Sequence, residues 1–545
     1  MIISKCIDEK HIYTAWRENG ERQFKLEAFE PYFFIEDDEF QFENYTVNKY
    51  ISRPFKYEKG EWLSLKGKPL KKVIVEQATD IYKARKMWNK TYEADVPFGF
   101  RYAIDKLEEL PEFKLRKWYW DMEWQQGGEH HDEITVIVAY DNYDKEYYQW
   151  AWFPNYDGDK ELFFDNEKDM IESFIQCMID KDPDMLIAWF GLKFDLPKLL
   201  DRCCALGINP MRMSPINRIE GVKKAGNGHT FSKAESGFSP IQQPLGGRIT
   251  LNLDLAFERQ WNDSQRGTLP SMSLEYVSQT LFGEGKSKET KFEDPNEFYR
   301  RGWLEDTEAY LKYALVDVEL LVRIDETNFC SEAIVALQRL LVAPFEACFY
   351  ASHMGSIYFM RNADWICKTG SKVDKREEYE GAMIYDPLSE NTNGLHLNVA
   401  AFDFAGLYPS MMISRNISWE TKSEEPTEFG CDIATPRDFS EATRTHMLYY
   451  KTDKLGLLPR AVLELKDLRN EYKRLMRDAR EAGDDLEVVK WHNNQMAVKR
   501  LMASFYGIVA FQGFGWADVN LAASITASAR EAIRLAAFKA KEMEG

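Results

Sequence analysis

The stretch WYWDMEW (118–124) is the starting point for the interpretation of this chain. Alternation along a strand would place Asp121 and Glu123 on one face with Tyr119, and the large apolar residues of the stretch on the other face. Two carboxylates beside bulky apolar residues cost free energy unless their charge is compensated. Either divalent cations compensate it or the stretch is a solvated edge strand, and this segment alone leaves both interpretations open.

Apolar segments that follow this stretch extend it into a predicted sheet. ITVIVAY (134–140) and YYQWAWF (147–153) are predicted strands, and polar turn residues separate them from each other and from 118–124. The three strands are therefore expected to form a meander. A helix is predicted at about 165–180, and MLIAWF (185–190) is predicted to be a further, buried strand.

Two further acids are candidates, one at a predicted strand–helix boundary and one on a predicted helix. Asp195 lies where the last of these strands is expected to turn into a helix, and on its own such a residue is typical of a helix cap. A surface loop is predicted at 214–247, which is rich in Gly, Ser, Asn and Lys. The helix predicted at 305–340 carries Asp317 one turn after Tyr313, which on its own is typical of a pair at a helix surface.

Taken together, the four acids favour a metal site. Asp121, Glu123, Asp195 and Asp317 would offer the hard oxygen ligands that suit Mg²⁺ or Mn²⁺. Two such ions about 3.5–4 Å apart activate a water and stabilise the leaving oxygen of a phosphodiester. Tyr313 would then orient the attacking water or the scissile phosphate.

The same residues resemble the motifs of a known family. Asp121-Met-Glu123, Phe194-Asp195 and Tyr313-Ala-Leu-Val-Asp317 are similar, in order and separation, to the three exonuclease motifs of family B DNA polymerases. The resemblance implies a ribonuclease-H-like proofreading domain that hydrolyses single-stranded DNA in the 3′→5′ direction, with the four acids as ligands of two ions. The second motif usually carries an Asn five residues before its Asp or close by, whereas Trp189-Phe190-Gly191 has none, a departure that concerns how the primer end is gripped.

A second group of motifs follows the exonuclease motifs. Tyr379-Glu-Gly-Ala382 is similar to the family's link between its exonuclease and polymerase regions, and DFAGLYPS (403–410) resembles polymerase motif A. The latter comprises the end of a strand predicted at 398–404 and a turn. The resemblance implies that Asp403 is a metal ligand, and without it the segment is equally an ordinary strand and turn.

The turn of motif A carries the residues implied in nucleotide binding. Backbone N–H groups at Gly406 and Leu407 would face a triphosphate. Gly406 stands where Ser is usual, which should spare these backbone contacts. Tyr408 would lie beneath the incoming sugar and exclude a 2′-hydroxyl.

Two charged segments are predicted to form a helical hairpin. The helices are expected at about 461–482 and 486–507, with a short polar turn between them. Arg469 and Lys473 lie four residues apart on one helix and Lys499 lies on the other, so three cations would neutralise a triphosphate. Interleaved acids make two solvated helices the alternative interpretation.

The second helix of the hairpin carries a further resemblance. Lys499-x-x-x-Ala503-Ser-Phe-Tyr506-Gly is similar to polymerase motif B, Lys-x-x-x-Asn-Ser-x-Tyr-Gly. It implies that the three cations bind the triphosphate and that Tyr506 lies at the nucleotide. Ala503 stands where Asn is usual, which removes one polar contact.

The resemblance also predicts the domain organisation and the fold class, which is mixed α+β and multidomain. The predicted parts are an N-terminal domain at 1–112 and 331–377, a ribonuclease-H-like exonuclease domain at 113–330, an antiparallel-sheet partial palm at 378–455 and 510–545, and helical-hairpin fingers at 456–509. The family's Tyr-x-Asp-Thr-Asp hairpin is absent after motif B in this sequence. The thumb and the rest of the palm are therefore expected to be absent.

These features predict the N-terminal portion of a family B DNA-directed DNA polymerase, most similar to the replicative enzymes of large tailed bacteriophages. Two Mg²⁺ or Mn²⁺ ions are expected in the exonuclease site, and two in the polymerase site once a second, C-terminal chain supplies the missing palm carboxylates and thumb. Expected partners are primer-template and single-stranded DNA, dNTPs, a sliding clamp and a single-strand-binding protein. The alternatives are a stand-alone DNA exonuclease and a non-catalytic DNA-binding replication subunit.

Composition limits these alternatives only weakly. The 545 residues include 70 Lys+Arg and 89 Asp+Glu, which gives a net charge of −19. This charge argues against non-specific coating of nucleic acid but not against basic groups that line one groove. No apolar run reaches the ~18–20 residues of a membrane helix, so we expect no membrane partner and a cytoplasmic location, in the host if the chain is phage-encoded.

Overall fold

The computed structural model describes most of the chain, and the account below is limited to those residues. They are 1–38, 55–154, 163–232, 237–263, 267–286, 290–363, 366–367, 379–383, 400, 402–433 and 446–543. Among them, no helix combines the length and apolar character that crossing a membrane requires.

The chain forms two compact units, and each is built from two separate stretches of sequence. Unit 1 comprises Met1–Phe29 and Lys106–Phe349, and unit 2 comprises Glu30–Asp105 and Tyr350–Gly545. The four domains predicted from the sequence divide the chain more finely than these two units and stay a prediction.

Secondary structure begins with six strands and two helices. In chain order these are β1 Ile2–Lys5, β2 His11–Glu18, β3 Glu21–Ala28, β4 Tyr32–Glu36, β5 Lys56–Ser64, β6 Pro69–Ile74, α1 Ala78–Ala84 and α2 Phe98–Lys106. The central part of the chain contributes β7 Lys117–Trp124, β8 Ile134–Asp141, β9 Glu146–Trp152, β10 Phe163–Phe164, α3 Glu167–Lys181, β11 Met185–Ala188, α4 Asp195–Ala205, β12 Val222–Ala225, β13 Gly228–Phe231, β14 Ile249–Asn252, α5 Leu253–Asp263, α6 Leu274–Phe282, α7 Pro295–Glu305, α8 Thr307–Asn328 and α9 Cys330–Leu341.

The remaining elements belong to unit 2. They are α10 Ala351–Asn362, β15 Ile366–Cys367, α11 Leu407–Ser414, β16 Lys422–Ser423, β17 Phe429–Ile433, β18 His446–Tyr450, α12 Leu457–Ala482, α13 Asp485–Ala510 and α14 Val519–Met543. Short 3₁₀ helices occur at Arg85–Met87, Pro210–Met213 and Phe345–Cys348.

The main sheet of unit 1 has six strands in the order β10-β9-β8-β7-β11-β14. The pairs β7–β8 and β8–β9 are antiparallel, which confirms the predicted meander, whereas β11 runs parallel to both β7 and β14. Trp118 and Trp120 of β7 pack against Phe174 of α3, with ring centroids 6.1 Å apart in both cases. This apolar face fixes the orientation of β7, so the opposite face carries Asp121 and Glu123.

Two predictions for unit 1 differ from the structure. The predicted surface loop at 214–247 contains an antiparallel hairpin, β12–β13, closed around Gly226 with a positive φ of 58°. The single helix predicted at 305–340 is broken at Phe329, whose φ of 52° is left-handed and ends α8 before α9 begins. Gly/Ser/Lys-rich composition hid the short strands, and apolar periodicity continues across the break.

Unit 2 contains the predicted helical hairpin and two sheets, which are antiparallel except that β15 runs parallel to β5. One sheet has the order β15-β5-β6-β4 and the other β16-β18-β17. Helices α12 and α13 pair along their length and are separated by Gly483 and Asp484, so the helical hairpin is confirmed. Helix α10 crosses α13 closely at Gly355, where a Cβ would lie 1.6 Å from Ile508 Cδ1.

The strand predicted at 398–404 lies largely outside the described residues. Of those described, residues 400 and 402–404 are not in a strand. The predicted turn that follows is wrong in part, because Gly406 has a left-handed φ of 73° and residues Leu407–Ser414 form helix α11. The apolar sequence LYPSMMIS permits a helix once Gly406 has reversed the backbone.

Candidate metal centre and nucleotide pocket

Three of the four predicted acids converge in unit 1. One carboxylate oxygen from each of Asp121, Glu123 and Asp317 lies within 4.8 Å of the others. Strand β7 supplies the first two from the face opposite its tryptophans, and helix α8, which packs along β7 and β8, supplies the third. Asp317 is only 1% exposed.

The fourth acid is a close neighbour of this cluster. Asp195 is buried in the first turn of α4, where its own backbone N–H partly offsets the effect of burial on its pKa. Its charge raises the pKa of both Asp121 and Glu123, so it belongs to the same electrostatic environment. The structure thus brings three of the acids together and places the fourth near enough to act on them electrostatically, and the role of all four as metal ligands stays a prediction.

The four carboxyl groups are buried with little positive charge beside them, and this holds all four pKa values above their usual range. Desolvation is the main cause, followed for Asp121 and Glu123 by repulsion among the carboxylates. The pKa of Glu123 rises to about 8 and that of Asp195 to about 7. Burial likewise raises the pKa of Asp317, against the opposing effect of a neighbouring lysine. Such a cluster is unfavourable unless positive charge compensates it.

Lys286 is the functional candidate that the sequence analysis missed. Its Nζ donates hydrogen bonds to the Tyr313 hydroxyl, over 2.9 Å, and to Asp317 Oδ2. Burial alone would lower the pKa of Lys286, but the carboxylates of Asp317, Asp121 and Glu123 raise it. In GEGKSKETK (283–291) three lysines follow one another in a polar segment, and nothing in the pattern distinguishes this one.

The residues of the cluster fit a hard divalent cation. Asp317 Oδ1 is buried and has no hydrogen-bond partner among the described residues, although its Oδ2 accepts from Lys286. An orphaned buried carboxylate oxygen is costly, and a cation bound there would satisfy it. Carboxylate oxygens from two elements are the ligand type that Mg²⁺ and Mn²⁺ prefer.

Gly191 occupies a tight position beside Asp195. A Cβ on Gly191 would lie 2.6 Å from the Ala188 Cβ and 3.8 Å from Asp195 Oδ2. No side chain fits at Gly191 without a shift of Ala188. In the same segment Phe194 is 46% exposed, and the Lys193 ammonium lies 5.0 Å from its ring centroid.

A cavity of about 470 Å³ in unit 2 brings most of the predicted nucleotide-binding residues together. Its lining includes six of the seven predicted residues, namely Gly406, Leu407, Tyr408, Arg469, Lys499 and Tyr506. The seventh, Lys473, is one turn from Arg469 on α12, and the positive charge of Arg469 is the main reason that its pKa is lowered. The three cations therefore form one cluster, and their binding of a triphosphate stays a prediction.

Aromatic contacts hold Tyr408 in place at one side of the cavity. Its ring centroid lies 4.5 Å from that of Tyr506, and the Tyr506 hydroxyl is 3.0 Å from the Tyr379 hydroxyl. The guanidinium of Arg530, which also lines the cavity, donates to the carbonyl oxygens of Glu380 and Gly381. The segment 379–382, which resembles the family's exonuclease–polymerase link, is thus held at the cavity by α13 and α14.

Asp403 is in a different environment from the four acids of unit 1. It is exposed, outside any strand, and flanked by Phe402, which is 96% exposed. Asp403 does not line the cavity. Within the part of the chain that the structure describes, it belongs to no carboxylate cluster of cation-binding size. Its role as a metal ligand stays a prediction.

Comparison with known proteins relates both regions to one family. The model of DNA polymerase family B, exonuclease domain, matches residues 119–243, and the model of DNA polymerase family B matches residues 357–543. The first match includes Asp121, Glu123 and Asp195, and the second includes the whole cavity. Together the two matches cover more than half of the chain.

Relatives and a solved structure agree with these matches. A DNA polymerase from Pyrococcus glycovorans is 28% identical over 97% of this chain, and one from Thermococcus sp. (strain 9oN-7) is 26% identical over 97%. The chain spans 66% of the length of each, just under two thirds. The structure of the family B DNA polymerase from Pyrobaculum calidifontis has the same fold, with a TM-score of 0.72 and 19% identity over 99% of this chain and 71% of that one.

These archaeal relatives do not test the predicted similarity to bacteriophage enzymes, which stays a prediction. The family itself follows from matches that cover both units, from relatives that align along nearly the whole chain, and from the fold. This chain belongs to DNA polymerase family B and contains the exonuclease domain of that family.

Proposed function

We propose that this chain hydrolyses single-stranded DNA from its 3′ end and so proofreads within a DNA polymerase. The observation that carries the proposal is the convergence of Asp121, Glu123 and Asp317 around an orphaned buried carboxylate oxygen. Three like charges in one buried place are tolerated when the site serves a cation.

In this proposal the four acids hold two Mg²⁺ or Mn²⁺ ions, which when bound supply an activated water and stabilise the leaving oxygen of the phosphodiester. The Tyr313 hydroxyl, which lies 2.9 Å from Lys286 Nζ, orients the attacking water or the scissile phosphate. Lys286 keeps that hydroxyl in place and adds positive charge next to a phosphate. The exposed ring of Phe194 offers a stacking surface for a base of the DNA end.

The test is the double substitution Asp121→Ala with Glu123→Ala. We expect Mg²⁺-dependent digestion of a 3′-labelled single strand to fall to background, because two ligands of the proposed site are removed. Glu297→Ala with Glu305→Ala is the matched control, since these acids are exposed on α7 and pair with Arg301. Unchanged digestion by the first double variant contradicts the proposed exonuclease.

We further propose that the cavity of unit 2 binds the incoming dNTP. Arg469 and Lys499, with Lys473 beside them, would bind the triphosphate, and the backbone at Gly406 and Leu407 would face it at the start of α11. Tyr408, braced by Tyr506, would lie beneath the sugar. The lining of the cavity supports this proposal, because it includes six of these seven residues.

Nucleotidyl transfer by the two-metal mechanism needs a second carboxylate centre opposite Asp403. The second chain that would supply the remaining palm carboxylates and the thumb, the sliding clamp, the single-strand-binding protein and the cytoplasmic location stay predictions. Primer extension assayed with and without a candidate C-terminal chain tests the first of them.

A stand-alone exonuclease is the second candidate function. The observation that favours it is the contrast between the converged acids of unit 1 and the exposed, isolated Asp403. If exonuclease activity is present and no partner chain ever yields primer extension, this candidate replaces the polymerase. A non-catalytic scaffold requires instead that calorimetry detect no metal binding.

A further inference from the structure

A buried polar network lies next to the acid cluster and takes no part in the proposed chemistry. The Tyr119 hydroxyl donates to Asp325 Oδ2 over 2.7 Å. The backbone N–H and the hydroxyl of Ser331 donate to the two oxygens of the same carboxylate, over 2.7 and 2.5 Å. Tyr119 and Asp325 are each only 3% exposed.

Lys117 completes this network. Its Nζ donates to Ser331 Oγ over 2.8 Å and to Glu332 Oε1 over 2.7 Å, and lies 4.0 Å from Asp325 Oδ2. The buried carboxylate of Asp325 therefore has three hydrogen-bond donors and a nearby cation. A buried charge with all its partners resists displacement, because breaking any contact leaves an uncompensated group.

The network joins the same two elements that carry the acid cluster. On β7, Tyr119 precedes Asp121 by two residues and shares its face, and on α8, Asp325 follows Asp317 by eight residues. At about 1.5 Å per helical residue, the two contact points on α8 are about 12 Å apart. The Tyr119–Asp325 hydrogen bond attaches α8 to β7 at one of these points, and α8 cannot slide by one turn without breaking it.

The metal-free cluster needs such an attachment. Three carboxylates within 4.8 Å repel one another, and this repulsion acts to separate α8 from β7. The Tyr119–Asp325 contact acts against that separation from the neighbouring end of the same interface. A site whose ligands are already in place loses less of its binding free energy to rearrangement.

We propose that Tyr119 and Asp325 are positioning residues of the metal site, a clamp that holds Asp317 at binding distance from Asp121 and Glu123 before any ion arrives. The proposal rests on the proposed exonuclease, because it assigns the clamp to that site. Neither residue touches the metal or the DNA; both act through the spacing of the acids.

The test is Mn²⁺ binding to the whole chain, measured by calorimetry without DNA. For Tyr119→Phe, which removes one hydroxyl, we expect the dissociation constant to rise about three- to tenfold, the range that corresponds to one buried hydrogen bond. Ser331→Ala, which removes one donor to the same carboxylate and the acceptor of Lys117 Nζ, should change the constant in the same direction.

The matched control is Tyr450→Phe. Tyr450 is fully buried in unit 2, and its hydroxyl donates to Ser524 Oγ over 2.7 Å, so the same group is lost far from the acids in sequence. Both Tyr→Phe variants should lower the unfolding midpoint, but only Tyr119→Phe should weaken Mn²⁺ binding. Wild-type Mn²⁺ affinity in both Tyr119→Phe and Ser331→Ala overturns the clamp alone, whereas a wild-type chain that binds no Mn²⁺ overturns both the clamp and the proposed exonuclease.

Discussion

The acid cluster of unit 1 and the cavity of unit 2 arrange charge in opposite ways. In unit 1 the carboxylates of Asp121, Glu123 and Asp317 are gathered on two packed elements, and Lys286 compensates part of their charge. In unit 2 the cations Arg469 and Lys499 lie at a largely apolar cavity. The difference shows that the first site is set by the packing of a sheet and a helix, whereas the second is formed by the helical hairpin together with α11 and α14.

The largest effect is expected from a substitution that removes one carboxylate of the acid cluster. Asp317→Asn keeps the size of the side chain but removes one charge and one anionic ligand. We expect the rate of 3′→5′ digestion at saturating Mg²⁺ to fall about a hundredfold or more, whereas nucleotide binding by unit 2 should not change. Single-turnover digestion and fluorescent dNTP titration measure the two effects, and an equal loss in both contradicts separate sites.

The next effect concerns the lysine that compensates the cluster. Lys286→Gln removes the charge next to Asp317 and weakens the hold on Tyr313. We expect the digestion rate to fall about ten- to a hundredfold, the range for a lost hydrogen bond to a charged group. Mg²⁺ affinity should be unchanged or higher, because the ammonium no longer competes for Asp317. Calorimetry measures this affinity, and a lower affinity in Lys286→Gln contradicts the role given to Lys286.

A smaller effect is expected for substitutions of the cations at the cavity. Arg469→Ala should weaken dNTP binding about tenfold, since one charge-assisted contact to the triphosphate is lost. Lys473→Ala should weaken it less, because Lys473 does not line the cavity. Digestion of single-stranded DNA serves as the control in both variants. A greater loss for Lys473→Ala than for Arg469→Ala would mean that the triphosphate binds elsewhere on the hairpin.

The smallest effect is the pH dependence of stability without metal. The pKa of Glu123 is about 8 in the folded chain against the usual 4.5, so the folded form binds more protons between these values. The free energy of unfolding therefore falls as the pH rises from about 5 to 8, and the unfolding midpoint should drop by several degrees. Mg²⁺ should reverse the drop at pH 8, and Glu123→Gln should reduce it; a flat profile contradicts the shifted pKa.

The convergence of Asp121, Glu123 and Asp317 was predictable because these acids occur in motifs of fixed internal spacing. Asp317 and Tyr313, one helical turn apart, and the alternation in WYWDMEW (118–124) each specify a face of an element. Lys286 was missed because it lies in a polar segment after α6, where local pattern carries no information about tertiary contacts. The same limit applies to Asp325, which resembles any acid on an amphipathic helix.

Elements whose boundaries depend on single backbone angles were predicted less well. The break at Phe329 and the hairpin at 222–231 follow from left-handed residues and short strands, which residue composition does not reveal. In unit 2 the long helices α12 and α13 were predicted almost to their ends, because charge and apolar periodicity persist over 26 residues in each. The segment around Asp403 lacks such periodicity.

The close approach at Gly191 restricts how this chain can change. Any side chain there would place its Cβ 2.6 Å from that of Ala188, so such an exchange alone costs packing energy. Removal of the obstructing methyl group by Ala188→Gly would have to accompany it. The two positions are therefore expected to be epistatic, and a relative that carries a larger residue at position 191 should carry a glycine, or a displaced strand end, at position 188.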